Sequence, residues 1–150
     1  MPLIRPMCLE DLTEITYWEP ILFGLSAWSR EDYEQEMTEN PFSHYFIAEV
    51  DGRIAGYLGV YLAYEHAEIL TLATIPDYQR QGIARSLLHH AFDLARQAGC
   101  QVMSLEVRQS NQRAIALYQS EGFARVAVRK NYYADHEHAD LMIKEMRENG

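Results

Sequence analysis

The sequence has little cysteine and contains no long apolar segment. Its two cysteines, Cys8 and Cys100, are far apart and form no CxxC motif, so a disulfide framework or a structural zinc site is not expected. We expect both to be small buried residues. The apolar runs are a few residues long, against the roughly 20 that a membrane-spanning helix needs, and no basic segment followed by an apolar stretch opens the chain. We therefore expect a cytoplasmic protein with no membrane partner, in which residues 1–150 form a single domain.

Positive charge is also scarce. The chain has 13 Lys and Arg residues against 22 Asp and Glu residues, for a net charge of −9 and a sequence pI of about 5.1. This balance leaves no broad basic face, so direct binding of nucleic acid is not expected. An acidic protein instead attracts basic partners through its long-range field. Hydrophobic residues make up 48% and charged residues 23%, which excludes a disordered tail or a fibrous protein.

Turn signals divide the chain into short periodic segments, and their order predicts a mixed α/β fold. Asp51-Gly52 between two β-rich runs predicts a hairpin. Ser29 with Asp32 resembles a capping box at the start of a helix. Pro20 is expected to interrupt the first helix, and Gly99 to follow the third one as its C′ residue. The predicted order is β-α-α-β-β-β-α-β-α-β-β around a mixed β-sheet, with elements at 3–7, 10–23, 29–39, 45–50, 53–64, 67–75, from 84 to the turn at Gly99, 101–107, 111–120, 122–128 and 139–146.

Residues 72–85 are the most informative stretch of the sequence. A β-rich run enters a loop with the motif Q-x-x-G-x-A, and the loop opens an amphipathic helix. The first backbone N–H groups of such a helix have no intrahelical partner and favour an anion. Gly82 and the small Ala84 let a phosphate approach the backbone, and Arg80 and Arg85 add positive charge. The alternative is that Gly82 is only a turn residue before a helix. The motif is neither the dinucleotide fingerprint nor the Walker loop.

The strand, the Q-x-x-G-x-A loop and the helix together resemble the pyrophosphate-binding motif of the GNAT acetyltransferase superfamily. Over nearly its whole length the chain is also similar to the bacterial ribosomal-protein-alanine N-acetyltransferases. The resemblance implies a GNAT-like fold and an acetyl-CoA-dependent N-acetyltransferase. The segments that carry it outside the loop are Arg5-Pro-Met7, Asn40-Pro-Phe-Ser43, Leu105-Glu-Val-Arg108, Ser110-Asn111, Ala116-Leu-Tyr118, Gly122-Phe123 and Arg129-x-x-Tyr132-Tyr133.

The same resemblance implies where acetyl-CoA binds. In the family the cofactor lies in a V-shaped opening between the fourth and fifth strands. The positions that match its backbone contacts to the acetyl-pantetheine arm are Leu72, Ala73 and Thr74. The loop that would hold the pyrophosphate consists of Arg80, Gln81, Gly82, Ile83, Ala84 and Arg85. Asn111 matches an asparagine that contacts pantetheine, and its residue type also suits a helix N-cap, a role compatible with the first.

Two further matches imply catalytic roles. Glu106 matches the general base of the family, which the chemistry needs because an ammonium group has no lone pair to attack a thioester. Tyr118 matches the general acid that returns a proton to the departing CoA thiolate. The alternatives are a solvated acid on a strand for Glu106 and an ordinary core tyrosine for Tyr118. Asn111 and Tyr118 are seven positions apart, and hence on one face of a helix.

The remaining matches are to residues that lie in the family near the amine that accepts the acetyl group. Trp28 matches a tryptophan in the helical lid of the family, and Tyr132 and Tyr133 match a tyrosine pair before the last strand. These side chains could pack around an incoming N-terminus, or pack only against the core and its rim. The resemblance implies as partner a protein N-terminus, the N-terminal alanine of a small-subunit ribosomal protein, and the acidic balance of the chain suits a basic protein of this kind. We expect the enzyme to be a monomer or a weak dimer. The alternatives are a GNAT enzyme for lysine side chains or small amines, and a non-catalytic acyl-CoA sensor.

The sequence departs from the family pattern at four positions, which are Ala27, Thr71, Thr74 and His138. These departures put the identity of the acceptor in question but not the use of acetyl-CoA. A short tract with Asp135, His136 and His138 has too few ligands for a metal site, so no metal is expected.

Overall fold

A computed structural model of the chain describes residues 1–146, which form four α-helices and one seven-stranded sheet. The order of elements is the predicted one. The strands are β1 (Leu3–Pro6), β2 (Ser43–Val50), β3 (Arg53–Ala63), β4 (His66–Thr74), β5 (Val102–Arg108), β6 (Ala124–Arg129) and β7 (Ala139–Glu145). The helices are α1 (Leu12–Phe23), α2 (Arg30–Glu39), α3 (Ile83–Gln97) and α4 (Gln112–Ser120). None of the helices in this part of the chain is long and apolar enough to cross a membrane.

The sheet opens between its two parallel strands. The strand order is β1-β2-β3-β4-β5-β7-β6, and the β4–β5 pair is parallel whereas the other neighbours are antiparallel. β4 and β5 pair only from His66 to Glu68, opposite Val102 to Ser104. The register with β3 shifts just beyond this point, so that Leu70 is an extra residue in β4. A bulge of this kind bends a strand, and the strands diverge beyond it into the V-shaped opening that the resemblance implies.

Two apolar layers cover the faces of the sheet. On one face α3 and α4 pack on the sheet, in a cluster that includes Leu87 and Leu88 of α3 and Met103 of β5. On the other face α1 and α2 enclose a second cluster that includes Ile15 and Tyr33. The opening between β4 and β5 therefore runs from one layer of helices to the other.

A glycine sets the distance between α3 and the sheet. A Cβ at Gly56 in β3 would lie 2.6 Å from the Ala73 carbonyl oxygen and 2.9 Å from Ile83 Cγ2. Only glycine lets the first turn of α3 approach this closely. The start of α3 is thus fixed beside the end of β4.

Most local predictions are confirmed. Asp51 and Gly52 both have positive φ, as a type I′ hairpin turn requires. Ser29 and Asp32 form the capping box. Gly99 has φ +79°, and the backbone N–H of Cys100 donates to the Ala95 carbonyl in a Schellman arrangement.

Two expectations are wrong. Helix α1 continues through Pro20 to Phe23, because the next turn is closed by the Gly24 N–H donating to the Pro20 carbonyl, so the proline costs one hydrogen bond without ending the helix. Cys8 is exposed, unlike the buried Cys100. It begins the 3₁₀ turn before α1, where its Sγ lies 3.3 Å from the Asp11 carboxylate.

Candidate active site

The loop between β4 and α3 exposes backbone N–H groups. Arg80 and Gly82 both have left-handed φ, +65° and +80°, and alternation of this kind turns successive N–H groups toward one side. The first hydrogen bond of the helix runs from the Ser86 N–H to the Gly82 carbonyl at 3.0 Å, which leaves the preceding N–H groups for an external acceptor. No atom lies within 4 Å of a Cβ built at Gly82, so its φ, rather than lack of space, calls for glycine there.

This loop forms one wall of a pocket of about 690 Å³, which we call the α3 pocket. Helix α4 and the end of α1 form the other walls. Of the sequence-predicted residues, the α3 pocket brings together Leu72, Ala73, Thr74, Arg80, Gly82, Ile83, Ala84, Arg85, Asn111 and Tyr118. The free edge of β4, the N-terminus of α3 and Asn111 thus meet around one space, which fits a long anionic thioester such as acetyl-CoA.

Gln81 and Arg85 differ in their surroundings from the other residues of the predicted pyrophosphate loop. Gln81 lies outside the α3 pocket, on a smaller one beside the N-terminus of the chain. The Arg85 guanidinium pairs with the Glu121 carboxylate at 2.5 Å and with Ser120 Oγ at 3.3 Å. Arg85 therefore ties α3 to the end of α4, and part of its charge is already balanced.

Sequence reasoning missed a third arginine at this pocket, beside Arg80 and Arg85. Arg113 lines it together with Gln79, and Arg113 Nη1 donates to Gln79 Oε1 at 3.3 Å. Gln79 is the first residue of the Q-x-x-G-x-A motif, so the motif itself could have indicated it. Arg113 follows Asn111 by two positions, in the first turn of α4, and no local pattern marks it.

Asn111 and Tyr118 lie where the α3 pocket meets a second pocket. Asn111 caps α4, since its Oδ1 accepts the Ala114 N–H at 3.2 Å, and the side-chain NH₂ is not used by that bond. Tyr118 is 8% exposed and packs edge-to-face on Phe123 at 5.7 Å. Its burial, and then the nearby Tyr133, raise the pKa of the Tyr118 phenol. The hydroxyl therefore keeps its proton at neutral pH.

The second pocket, of about 730 Å³, is called the β5 pocket. It contains Trp28, Glu106, Tyr132 and Tyr133, so the predicted base and the predicted acceptor residues share one space. Glu106 Oε1 lies 3.1 Å from Arg129 Nε. The Glu106 carboxylate, followed by partial burial, raises the pKa of Tyr132 to about 12.

The segment between α1 and α2 that carries Trp28, which we call the lid, borders the β5 pocket and is held by a buried carboxylate that sequence reasoning missed. Glu19 of α1 is 2% exposed and accepts hydrogen bonds from the Tyr33 hydroxyl at 3.1 Å and from the Tyr57 hydroxyl. It also accepts the backbone N–H of Trp28 at 2.8 Å. The Trp28 ring packs on Tyr33 at 5.1 Å. The lid is therefore fixed to both α1 and the sheet.

Arg108 joins two walls of the β5 pocket. Its guanidinium contacts the carboxylates of Asp135 and Glu137, each at 2.9 Å, and donates to Ser26 Oγ at 2.8 Å. It also lies 4.0 Å from the centre of the Tyr133 ring. The segment before β7 and the loop after α1 are thereby tied to the end of β5.

Glu68 of β4 is another unpredicted residue of the β5 pocket. Burial, and then the negative charge of Glu106, raise the pKa of the Glu68 carboxyl.

The four departures from the family pattern fall at different places. Thr71 lines the β5 pocket and Thr74 the α3 pocket. Ala27 directly precedes Trp28, and His138 Nδ1 accepts the Asn131 N–H at 2.9 Å. Within residues 1–146, no group of three or more His, Cys, Asp or Glu residues is placed to hold a metal ion.

Comparison with known proteins identifies the family. Residues 9–123 match the model of the acetyltransferase (GNAT) family. The ribosomal protein bS18-alanine N-acetyltransferase of Escherichia coli is 37% identical over 106 residues, which are 71% of this chain and 70% of that protein. The N-alpha-acetyltransferase RimI of Mycobacterium tuberculosis is 36% identical over 118 residues, 75% of this chain and 72% of that protein.

A solved structure agrees with these relatives. The crystal structure of the ribosomal-protein-S18-alanine N-acetyltransferase from Escherichia coli superposes with a TM-score of 0.88 at 31% identity, covering 100% of this chain and 97% of that chain. The GNAT-like fold that the resemblance implies is confirmed, as is the mixed α/β order of elements. The chain belongs to the GNAT family and is an acetyl-CoA-dependent N-acetyltransferase.

Proposed function

We propose that this enzyme transfers the acetyl group of acetyl-CoA to the free α-amine of a basic protein N-terminus, the N-terminal alanine of a ribosomal protein. The observation that carries the proposal is the meeting of the two pockets at Asn111 and Tyr118. One pocket offers an anion-binding loop, and the other offers a carboxylate and aromatic walls. The relatives named for bS18-alanine acetylation support this acceptor, as does the net charge of −9, which attracts a basic partner. Such an enzyme would work in the cytoplasm, where ribosomal proteins are made.

The α3 pocket would bind acetyl-CoA. Backbone groups of Leu72, Ala73 and Thr74 on the free edge of β4 hold the acetyl-pantetheine arm, and the Thr74 N–H polarises the thioester carbonyl. The Asn111 side-chain NH₂ donates to the same arm. The N–H groups at the start of α3 hold the pyrophosphate, with Arg80 and Arg113 supplying positive charge.

The β5 pocket would bind and activate the amine. Trp28, Tyr132 and Tyr133 enclose the N-terminal residue of the acceptor. Glu106 removes a proton from the ammonium group, directly or through one water molecule, and the neutral amine attacks the thioester carbonyl. The carbon–sulfur bond then breaks, and Tyr118 gives its proton to the CoA thiolate. The second proton of the attacking nitrogen leaves as the amide forms and restores the Tyr118 phenol, while the proton on Glu106 passes to water.

An α-amine suits this site better than a lysine side chain does. The reference pKa of an α-amino group is about 7.8 and that of lysine about 10.4. Deprotonation of lysine at neutral pH is therefore about 3.5 kcal/mol harder. A single carboxylate base is sufficient for the first amine and poorly matched to the second.

The test is acetyl-CoA turnover on two basic peptides, read by mass spectrometry. One peptide has a free N-terminal alanine and no lysine, and the other has a blocked N-terminus and internal lysines. We expect acetylation of the first peptide only. Acetylation of the blocked peptide would make the enzyme a lysine acetyltransferase. Silence on both peptides, with acetyl-CoA binding retained, would indicate a small-amine enzyme or a sensor.

A further inference from the structure

Glu68 lies at the point where the sheet opens toward the acceptor. It is the last β4 residue that pairs with β5, opposite Ser104, and Glu106 is two positions further along β5. Because side chains alternate along a strand, Ser104 and Glu106 share a face of β5. Glu68 and Glu106 both line the β5 pocket, so two carboxylates on neighbouring strands border the space assigned to the amine.

The other charged groups of this pocket already have partners. Glu19 is hydrogen-bonded by Tyr33, Tyr57 and the Trp28 N–H. Glu106 pairs with Arg129, and Arg108 pairs with two carboxylates. The Glu68 carboxylate, in contrast, makes no salt bridge or hydrogen bond with any residue in the range 1–146 that the structure describes.

A half-buried carboxylate without a partner is costly, and a like charge beside it adds to the cost. Both effects act on Glu68, and both raise its pKa. A cation that enters between Glu68 and Glu106 offsets the repulsion between the two carboxylates and supplies a hydrogen-bond donor to Glu68. An ammonium group is small, carries three donors and fits between two acceptors.

We propose that Glu68 binds the α-ammonium group of the acceptor together with Glu106, and so makes a cationic amine the substrate that the pocket selects. This inference rests on the proposed function, since it deepens the assignment of the β5 pocket as the acceptor site. Glu68 binds the charged amine, and Glu106 takes its proton. The partly buried side chains of Trp28 and Tyr133 line the same space and reduce the contact of the ion pair with water, which strengthens it.

Steady-state kinetics on Glu68→Gln tests the assignment. Charged hydrogen bonds of this kind contribute about 1.5–3 kcal/mol, so we expect the KM for the alanine peptide to rise about 10- to 100-fold. The KM for acetyl-CoA should stay within twofold of the native value. Glu65→Gln is the matched control, because it removes the same charge from an exposed side chain three positions away and should leave both KM values unchanged.

Inhibition by the acetylated product peptide separates charge recognition from pocket shape. That product has no ammonium group, so its inhibition constant should be the same in the native enzyme and in Glu68→Gln. An equal loss of affinity for substrate and product would overturn the proposal, and so would a substrate KM within twofold of native. If Glu68→Gln did not fold by circular dichroism, Glu68→Asp, which keeps the charge on a shorter stem, should show a smaller rise in KM for the peptide alone.

The two proposals fail separately. If the native enzyme acetylates only the blocked lysine peptide, the N-terminal acceptor is wrong. The Glu68 variants are then measured with that lysine peptide, because its ammonium group would bind to the same two carboxylates.

Discussion

The Arg108 guanidinium stacks over the Tyr133 ring at 4.0 Å while it binds Asp135 and Glu137. This arrangement connects β5, which carries Glu106, to the segment that carries the tyrosine pair. This wall of the β5 pocket therefore depends on one cation. The same side chain reaches Ser26 beside the lid, so that wall and lid share an anchor.

Arg108→Met should weaken binding of the acceptor and leave acetyl-CoA binding intact. Methionine retains an apolar stem but cannot bind the two carboxylates, so the segment from 132 to 137 loses its anchor. We expect the peptide KM to rise by about 10-fold, the loss of roughly one charged hydrogen bond, with the acetyl-CoA KM within twofold of native. Arg53→Met, at an exposed position on β3, is the control. Equal changes in both KM values would contradict a role confined to the acceptor side.

Gly82→Ala should impair acetyl-CoA binding by straining the loop. The residue has φ +80°, a conformation that costs an L-residue about 1–2 kcal/mol. Gly99→Ala is a close control, because Gly99 has φ +79° and also has no atom within 4 Å of the added Cβ. In both variants the Tm should fall by about 2–4 °C for each kcal/mol lost from the free energy of unfolding. Only Gly82→Ala should raise the acetyl-CoA Kd, measured by calorimetry, and an equal rise in Gly99→Ala would refute the assignment of the loop.

Tyr118→Phe should lower kcat without changing either KM. Phenylalanine keeps the packing on Phe123 and removes the proton that the thiolate needs. General acid catalysis is worth about 100-fold or more, so we expect a loss of that order in kcat. Tyr64→Phe, on an 87% exposed side chain, should behave as the native enzyme. Because the pKa of Tyr118 is raised, the native kcat should show no alkaline decline due to this group between pH 7 and 10. An unchanged kcat in Tyr118→Phe would remove the acid role.

The sequence predicted local backbone features of the candidate site. Neighbouring residues are enough to predict the loop at Gly82 and the N-cap at Asn111. They also predict that Tyr118 lies on the same face of α4 as Asn111, because the two are seven positions apart. The order of all eleven elements followed from periodicity and turn signals. Pro20 was misjudged because the hydrogen bond that closes the next turn could not be foreseen from the proline alone.

Residues that act through long-range contacts could not be predicted. Glu19 is buried only because Tyr33 and Tyr57 reach it from α2 and β3. Glu68 enters the pocket because β4 leaves β5 after it, and that divergence depends on the pairing of distant strands. The pairing of Arg85 with Glu121 likewise joins two helices. Hydrophobic periodicity identifies none of these contacts. It indicates on which face of a helix or strand a residue lies, but not which distant residues pack against that face.

Glu68 should also leave a signature in the pH dependence of stability. Burial and the charge of Glu106 raise the folded-state pKa of Glu68 above its unfolded value, and the charges of His66 and Arg129 oppose them only in part. A raised carboxyl pKa gives stability that is fully present below the unfolded pKa and is lost as the pH rises through the folded pKa. At pH 7 the ionised side chain is therefore destabilising, and Glu68→Gln should have a higher Tm than the native enzyme.

The difference in Tm between Glu68→Gln and the native enzyme should shrink as the pH falls toward 4, where the native Glu68 is protonated and resembles the amide. Differential scanning fluorimetry from pH 4 to 8 measures both curves, with Glu65→Gln as the control that should follow the native curve throughout. A saturating acceptor peptide should reduce the gap at pH 7, because its ammonium group stabilises only the carboxylate form. A gap that stays constant from pH 4 to 8 would mean that the substitution acts through packing rather than charge.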